Sequence, residues 1–177
     1  MLRNVVVRLA SRYATVSVVA RTPHRLDAVK AAAGPRGNRV NTIALDYRDR
    51  GAFRGRLLEA RERFGRYALA VGWIRTSATD ARDSVLDLMN VGPDIARYFD
   101  VIGSTGRHPA AVSVERHRRY DGLPFVGYRT IVLGFVAEGG RTRWLSDAEI
   151  SEGVMHAVTS DALSSVVGEL EPWTARP

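Results

Sequence analysis

The sequence predicts an α/β fold, a doubly wound and mainly parallel sheet, and two observations carry the prediction. Short β-branched or apolar runs alternate with amphipathic stretches of about ten residues that bear helix caps. The connections are short, so successive strands are joined by right-handed crossovers whose helices cover both faces of a parallel sheet.

The elements follow in order along the 177 residues. Leu2, Val5, Val6, Leu9 and Tyr13 recur at i, i+3, i+4, i+7 and i+11, the stripe of an amphipathic helix. Ala14 to Ala20 is β-branched and fits a buried strand. Thr22 before Pro23 has the form of an N-cap with proline at the first helical position. The helix it opens, His24 to Ala33, carries Leu26, Val29 and Ala33 on one face and ends at Gly34-Pro35. Val40 to Leu45 is a second strand closed by Asp46-Tyr47, and Arg48 to Phe64 is a helix stopped by Gly65. Tyr67 to Ile74 is a third strand and Ala81 to Met89 a helix. Tyr98 to Ile102 is a fourth strand running into Gly103-Ser104-Thr105-Gly106. Residues 107–127 are rich in His, Arg, Pro and Gly and read as loop, with a short turn of helix near Ala110 to Val114. Arg129 to Val136 is a fifth strand. Ser146 and Glu149 form a capping box for a helix through Val158, and a last helix is read over Ala162 to Leu170.

Composition narrows the function. A chain that is 45% hydrophobic and 25% charged reads as one globular domain, residues 1–177. No run approaches the roughly 18 to 20 apolar residues that span a bilayer. The first residues also lack the apolar core and small-residue cleavage site of a signal peptide, so the expected location is cytoplasmic. With no cysteine there is no disulfide framework and no thiolate chemistry. The four histidines lack ligand spacing, so no metal site is expected. The net charge of +7 invites a nucleic-acid reading, but Lys30 is the only lysine and the arginines are scattered along the chain. An anionic small ligand such as a nucleotide phosphate suits the same charge. The phosphate-loop signature and the hydrolase nucleophile elbow are both absent from the sequence.

In a parallel sheet ligands bind at the carboxyl ends of the strands, which points to Arg21, Asp46-Tyr47, Gly72-Trp73-Ile74, Gly103-Ser104-Thr105 and Gly134-Phe135. The order VSVVAR, IALDY, LAVGWI, FDVIGST and TIVLGF, each followed by a helix or loop, resembles the short-chain dehydrogenase/reductase family over nearly the whole chain. It is most similar to a small bacterial branch with a Trp-Ile pair after the fourth strand and an ending like RWLSDAEISEGV.

The resemblance implies a Rossmann-like fold, a dinucleotide cofactor and hydride transfer to or from a small carbonyl or alcohol substrate. Arg21 at the first observed strand exit, with Arg25 one helical turn later, implies NADP, because a guanidinium matches the 2′-phosphate bidentately. Asp46 and Tyr47 match the position that contacts the adenine ring; Asp46 is equally a helix N-cap. Gly72 and Trp73 match the segment against the cofactor ribose, where a small residue admits close approach, and Trp73 is equally a core aromatic. Gly103 belongs to the same rim. Ser104 or Thr105 matches the family's serine, which polarises the reacting oxygen.

The family's tyrosine and its lysine four residues later are missing. Tyr120 is followed at +4 by Pro124 and Tyr128 by Val132. Tyr128 remains a candidate acid beside Ser104, yet a tyrosine of ordinary pKa near ~10 shuttles protons poorly at neutral pH without a neighbouring cation. His108 and His117, in the loop after Ser104, are candidates for an acid or base, and the stronger reading is that they are surface residues of an Arg-rich loop. The second functional reading is therefore a non-catalytic cofactor-sensing or interaction module. The resemblance also implies a central strand and glycine-rich turn ahead of the first helix, and the sequence has neither, so the expected fold is truncated at its N-terminus. Either the start lies about a dozen residues downstream of the true one, or the chain begins at Met1. In the second case the sheet closes up, recruits another segment or pairs between chains as a homo-oligomer, with weak cofactor binding.

Overall fold

A computed structural model describes residues 1–103 and 107–177. Helix α1 (Arg3–Ala10) buries Val5, Val6, Leu9 and Ala10, the stripe seen in the sequence. Strand β1 (Val16–Ala20) leads to α2 (Pro23–Ala32), which starts with Pro23 in its first turn although Thr22 makes no side-chain cap bond. Gly34 at φ +56° turns the chain through a 3-10 segment into β2 (Val40–Ala44). Helix α3 (Arg50–Phe64) is capped by Asp49, whose carboxylate accepts the Ala52 N–H. The cap is thus Asp49 and not Asp46. Strand β3 (Leu69–Gly72), α4 (Thr79–Met89) and β4 (Ala96–Ile102) follow as the sequence suggests.

The next stretch departs from expectation. Residues 107–127 hold a twelve-residue helix, α5 (Pro109–Tyr120), where the sequence suggested a loop. Pro109 starts it, the His108 ring nitrogen Nδ1 accepts the Ala110 N–H, and Val112, Ser113, Arg116 and Tyr120 face inward. Strand β5 (Val126–Leu133) then ends before Gly134, and β6 (Phe135–Glu138) pairs antiparallel with β7 (Arg141–Trp144). Gly139 and Gly140, both at positive φ, make the tight turn of this hairpin, as two left-handed residues allow. The Ser146–Glu149 capping box opens α6 (Asp147–Ser160) as expected. Asp161 at φ +56° ends that helix, and the following residues form a strand, β8 (Ser164–Val167), where a helix was expected. Its β-branched Val166 and Val167 bond to Val132 and Leu133, so sheet pairing overrides the local reading.

All pairs in the main sheet are parallel, and the order is β3-β4-β5-β8. A separate two-stranded sheet pairs β1 with β2 in parallel. Phe99, Val101, Ile131 and Leu133 pack on one face against α1 and α6, through Val5, Leu9, Val154 and Met155. Burying Phe99 fully contributes about 2–3 kcal/mol. On the other face Tyr98, Tyr128 and Tyr120 stack with Leu86 and Met89 of α4. Helices on both faces make the fold a doubly wound, Rossmann-like α/β layer. No helix among the described residues is long and apolar enough to cross a membrane.

Candidate functional site

The carboxyl ends of β3, β4 and β5 enclose a cavity of about 660 Å³. Its walls are Trp73 and Ile74 after β3, Gly103 after β4, Leu133 and Gly134 at the end of β5, and Arg116 from α5. Met1, Thr76, Trp144, Leu145 and Asp147 also line it. Two glycines stand in these walls, and one of them is sterically required. A Cβ on Gly134 would stand 1.9 Å from the Glu169 carbonyl oxygen, so only glycine lets the chain pass that backbone. A Cβ on Gly103 would make only an ordinary van der Waals contact, 3.7 Å from the Trp73 indole, so this wall does not require glycine for packing.

Beneath the cavity lies a buried charge cluster. Asp100, in the middle of β4, is fully buried, and one oxygen, Oδ2, takes most of the contacts. Arg116 Nη1 donates to it at 2.6 Å, and the Tyr128 hydroxyl donates to it as well. Arg82 Nε lies 2.9 Å away, close enough for an ion pair but not aligned as a hydrogen bond. Arg82 Nη2 donates instead to the Ile74 carbonyl at 3.1 Å, which fixes the exit of β3. Arg116 Nη2 donates to Thr76 Oγ1 at 3.1 Å on the cavity wall. Two guanidiniums thus share one carboxylate, leaving one positive charge in excess next to the cavity. Such a buried group favours an anionic or strongly polarised neighbour.

The cluster settles where Tyr128 stands. It is buried in β5, its hydroxyl is spent on Asp100, and it is not among the cavity walls. Burial pushes its pKa far above the ordinary tyrosine value, and the Asp100 charge pushes it the same way. This placement runs against the expectation of Tyr128 as a proton donor. Ser104 and Thr105, the expected serine position, lie outside the described residues. His117 is half-buried rather than a surface residue: its Nε2 meets Thr130 Oγ1 at 3.1 Å and its ring sits edge-on to Tyr128. His108 caps α5 and contacts Glu171 at 2.9 Å. Among the described residues the cavity walls carry no tyrosine, lysine or histidine. Arg116 was missed in the sequence because its helix was missed.

The expected cofactor residues occupy two places. Trp73 and Gly103 line the cavity. Gly72, just before it, is buried, and a Cβ there would strike the Tyr98 hydroxyl at 2.1 Å, so its smallness serves packing as well. Arg21 and Arg25 are exposed at the end of β1 and in the first turn of α2. Asp46 and Tyr47 follow β2, the neighbouring strand, so these four cluster at the exits of the two-stranded sheet. Arg48 grips Asp46 with Nη2 at 2.6 Å and Nε at 3.0 Å, holding that carboxyl down at about 2, with the Arg21 charge acting in the same direction. Tyr47 rests edge-on against Phe53, the ring centroids 6.4 Å apart.

No protein-family model matches the chain, and no curated protein matches it by sequence. Solved structures match it in fold. A betaketoacyl-[ACP] reductase from Bacteroides thetaiotaomicron is 17% identical, with a TM-score of 0.71 over 97% of this chain and 93% of that one. A metagenomic short-chain oxidoreductase in complex with NADP is 16% identical, with a TM-score of 0.63 over 95% and 90%. A xylitol dehydrogenase with NAD+ bound is 14% identical, with a TM-score of 0.62 over 77% and 66%. With helices on both faces of a parallel sheet and a cavity at its strand exits, the chain has the fold of the short-chain dehydrogenases/reductases.

Proposed function

We propose that the protein is an oxidoreductase that binds NADP(H) at the strand exits and moves hydride to or from a small carbonyl or alcohol. The observation that carries this reading is the cavity formed by the ends of β3, β4 and β5, the place where doubly wound folds take their ligands. The residues present fit a dinucleotide. Leu2 gives the α1 N-terminus no side-chain cap, and Met1 beside it lines the cavity, its amino group 3.2 Å from Asp147 Oδ2, so a phosphate there would meet the amides of the first helical turn in exchange for that carboxylate's contact. Arg21, exposed at the end of β1, would hold a 2′-phosphate, and Tyr47 would flank the adenine. Trp73 and Gly103 would bound the nicotinamide end. When bound, the cofactor supplies or accepts the hydride. Arg116 keeps its charge at the wall and orients a polarised carbonyl oxygen, Asp100 holds Arg116 in place, Ser104 is the residue proposed to hydrogen-bond that oxygen, and the proton that turns the alkoxide into the alcohol would come from water in the cavity.

Fluorescence titration with NADPH and NADH tests the assignment. NADPH should bind at least tenfold more tightly, and Arg21→Glu should abolish that preference. Equal affinities in the unaltered protein would overturn the arginine argument.

One observation favours a second reading, a cofactor-sensing module without turnover: the Tyr128 hydroxyl is locked on Asp100, away from the cavity. Tight NADPH binding with no oxidation across a panel of small carbonyls would establish this second reading in place of the first.

A further inference from the structure

The charges around the strand-exit cavity do not cancel. Its walls include Met1, Arg75, Arg116 and Asp147. The Met1 amino group and Asp147 face each other at 3.2 Å and balance. Arg116 shares Asp100 with Arg82, which leaves one positive charge in excess. Arg75 is exposed at the wall and meets no carboxylate among the described residues, which adds a second.

Arg75 is also held in position. Arg82 Nη2 donates to the Ile74 carbonyl at 3.1 Å on one side of it, and Arg116 Nη2 donates to Thr76 Oγ1 at 3.1 Å on the other. Its own carbonyl accepts the Ala78 N–H at 3.0 Å, closing a turn. The backbone is therefore anchored on both sides by guanidiniums of the buried cluster, whereas the Arg75 side chain makes no hydrogen bond among the described residues. A cation on so fixed a backbone loses little freedom when it takes a ligand.

The wall beyond is of the opposite character. Leu133, Leu145 and Ile150 line it with Trp144, which is 44% exposed. A ligand that satisfies both walls has an anionic end and a short hydrocarbon body. A carboxylate meets a guanidinium fork with two oxygens and carries a single charge. A phosphate monoester carries nearly two at neutral pH and loses more hydration against these apolar side chains.

Resting on the oxidoreductase reading, we propose that the substrate is a small oxo acid, with Arg75 as the residue that selects it. Arg75 takes the carboxylate, Arg116 the carbonyl oxygen, and the hydrocarbon chain lies on Leu133, Leu145 and Trp144. The carbonyl carbon accepts the hydride and its oxygen a proton from water, so the oxo acid becomes a hydroxy acid as NADPH becomes NADP+.

Trp73 and Trp144 both line the cavity, so tryptophan fluorescence reports its occupancy without turnover. Titrations with α-ketoisocaproate, acetoacetate and levulinate, each with and without NADP+, are compared with those of the three methyl esters. At least one acid should bind about tenfold more tightly than its ester, the scale of a charge-assisted hydrogen bond. Arg75→Gln should remove that difference, leave the melting temperature and NADPH affinity unchanged, and leave ester binding as it was. Arg75→Lys, which keeps the charge without the fork, should restore the difference in part. No binding of any acid, equal binding of every acid and its ester, or an acid preference that survives Arg75→Gln overturns the proposal. So does a loss of NADPH affinity in Arg75→Gln, because the guanidinium then serves a cofactor phosphate. Acid-selective binding that depends on Arg75, but without oxidation of NADPH, upholds the carboxylate site and overturns the hydride-transfer reading alone.

Discussion

Asp100→Asn tests the cluster on which the candidate site rests. The substitution keeps shape and volume but removes the carboxylate that, among the described residues, faces Arg82, Arg116 and the Tyr128 hydroxyl. Asp100 and Arg82 are almost wholly buried and Arg116 nearly so, which leaves little water to take over the lost charge. Removing one partner of a buried ion pair costs about 3–5 kcal/mol, because the other charge stays buried and uncompensated. For a chain of this size each kcal/mol lowers the melting temperature by about 2–4 °C, so a fall on the order of 10 °C is expected. Urea unfolding at neutral pH, followed by circular dichroism, gives the value directly, provided that the slope with denaturant is the same in both proteins. Glu59→Gln is the control. Its partner Arg56 lies 2.7 Å away on the same helix, but both side chains are more than half exposed, and the change should cost less than about 0.5 kcal/mol. A loss below about 1 kcal/mol for Asp100→Asn would refute the reasoning, since the two guanidiniums would then be held by something other than Asp100.

Three further outcomes follow from single contacts. Arg48→Gln should let the Asp46 carboxyl rise from about 2 toward the ordinary aspartate value, read as the midpoint of its carboxyl ¹³C shift. Because the folded value lies below the unfolded one, this pair stabilises the protein above about pH 4 and stops doing so as the pH falls toward 2; the variant should show a weaker dependence, since the backbone N–H bond at position 48 and the Arg21 charge remain. Gly134→Ala would press a methyl group into the Glu169 carbonyl, which cannot move without breaking the β6 bridge, so thermal unfolding should show a loss of about 1–3 kcal/mol or more. Ser146→Ala removes the capping box of α6, including the Ser146 Oγ that accepts the Glu149 N–H, and should cost about 1 kcal/mol by urea unfolding.

Where local chemistry decides an element, the sequence was legible. The Val5, Val6 and Leu9 stripe of α1, the proline start of α2 and the Ser146–Glu149 box all stand where the residues place them. The errors fall where distant partners decide. Ser164 to Val167 forms a strand because β5 offers an open edge, which no local pattern reveals. The Gly139-Gly140 pair was a readable hairpin signal that the strand reading passed over. Helix α5 was hidden for a different reason. Its inward face carries Ser113, Arg116 and His117 beside Val112 and Tyr120, so it has no apolar stripe to detect. That face is polar because β4 and β5 present Asp100 and Thr130 to it, and a buried carboxylate requires a buried cation. The one clue was Asp100 itself, a lone charge inside the apolar run FDVI, which could remain in a sheet interior only with basic partners from neighbouring helices. The pairing that conceals α5 from periodicity is therefore the same pairing that carries Arg116 to the cavity wall. The fold is written in patterns of apolar residues, whereas the site is written in the exceptions to them.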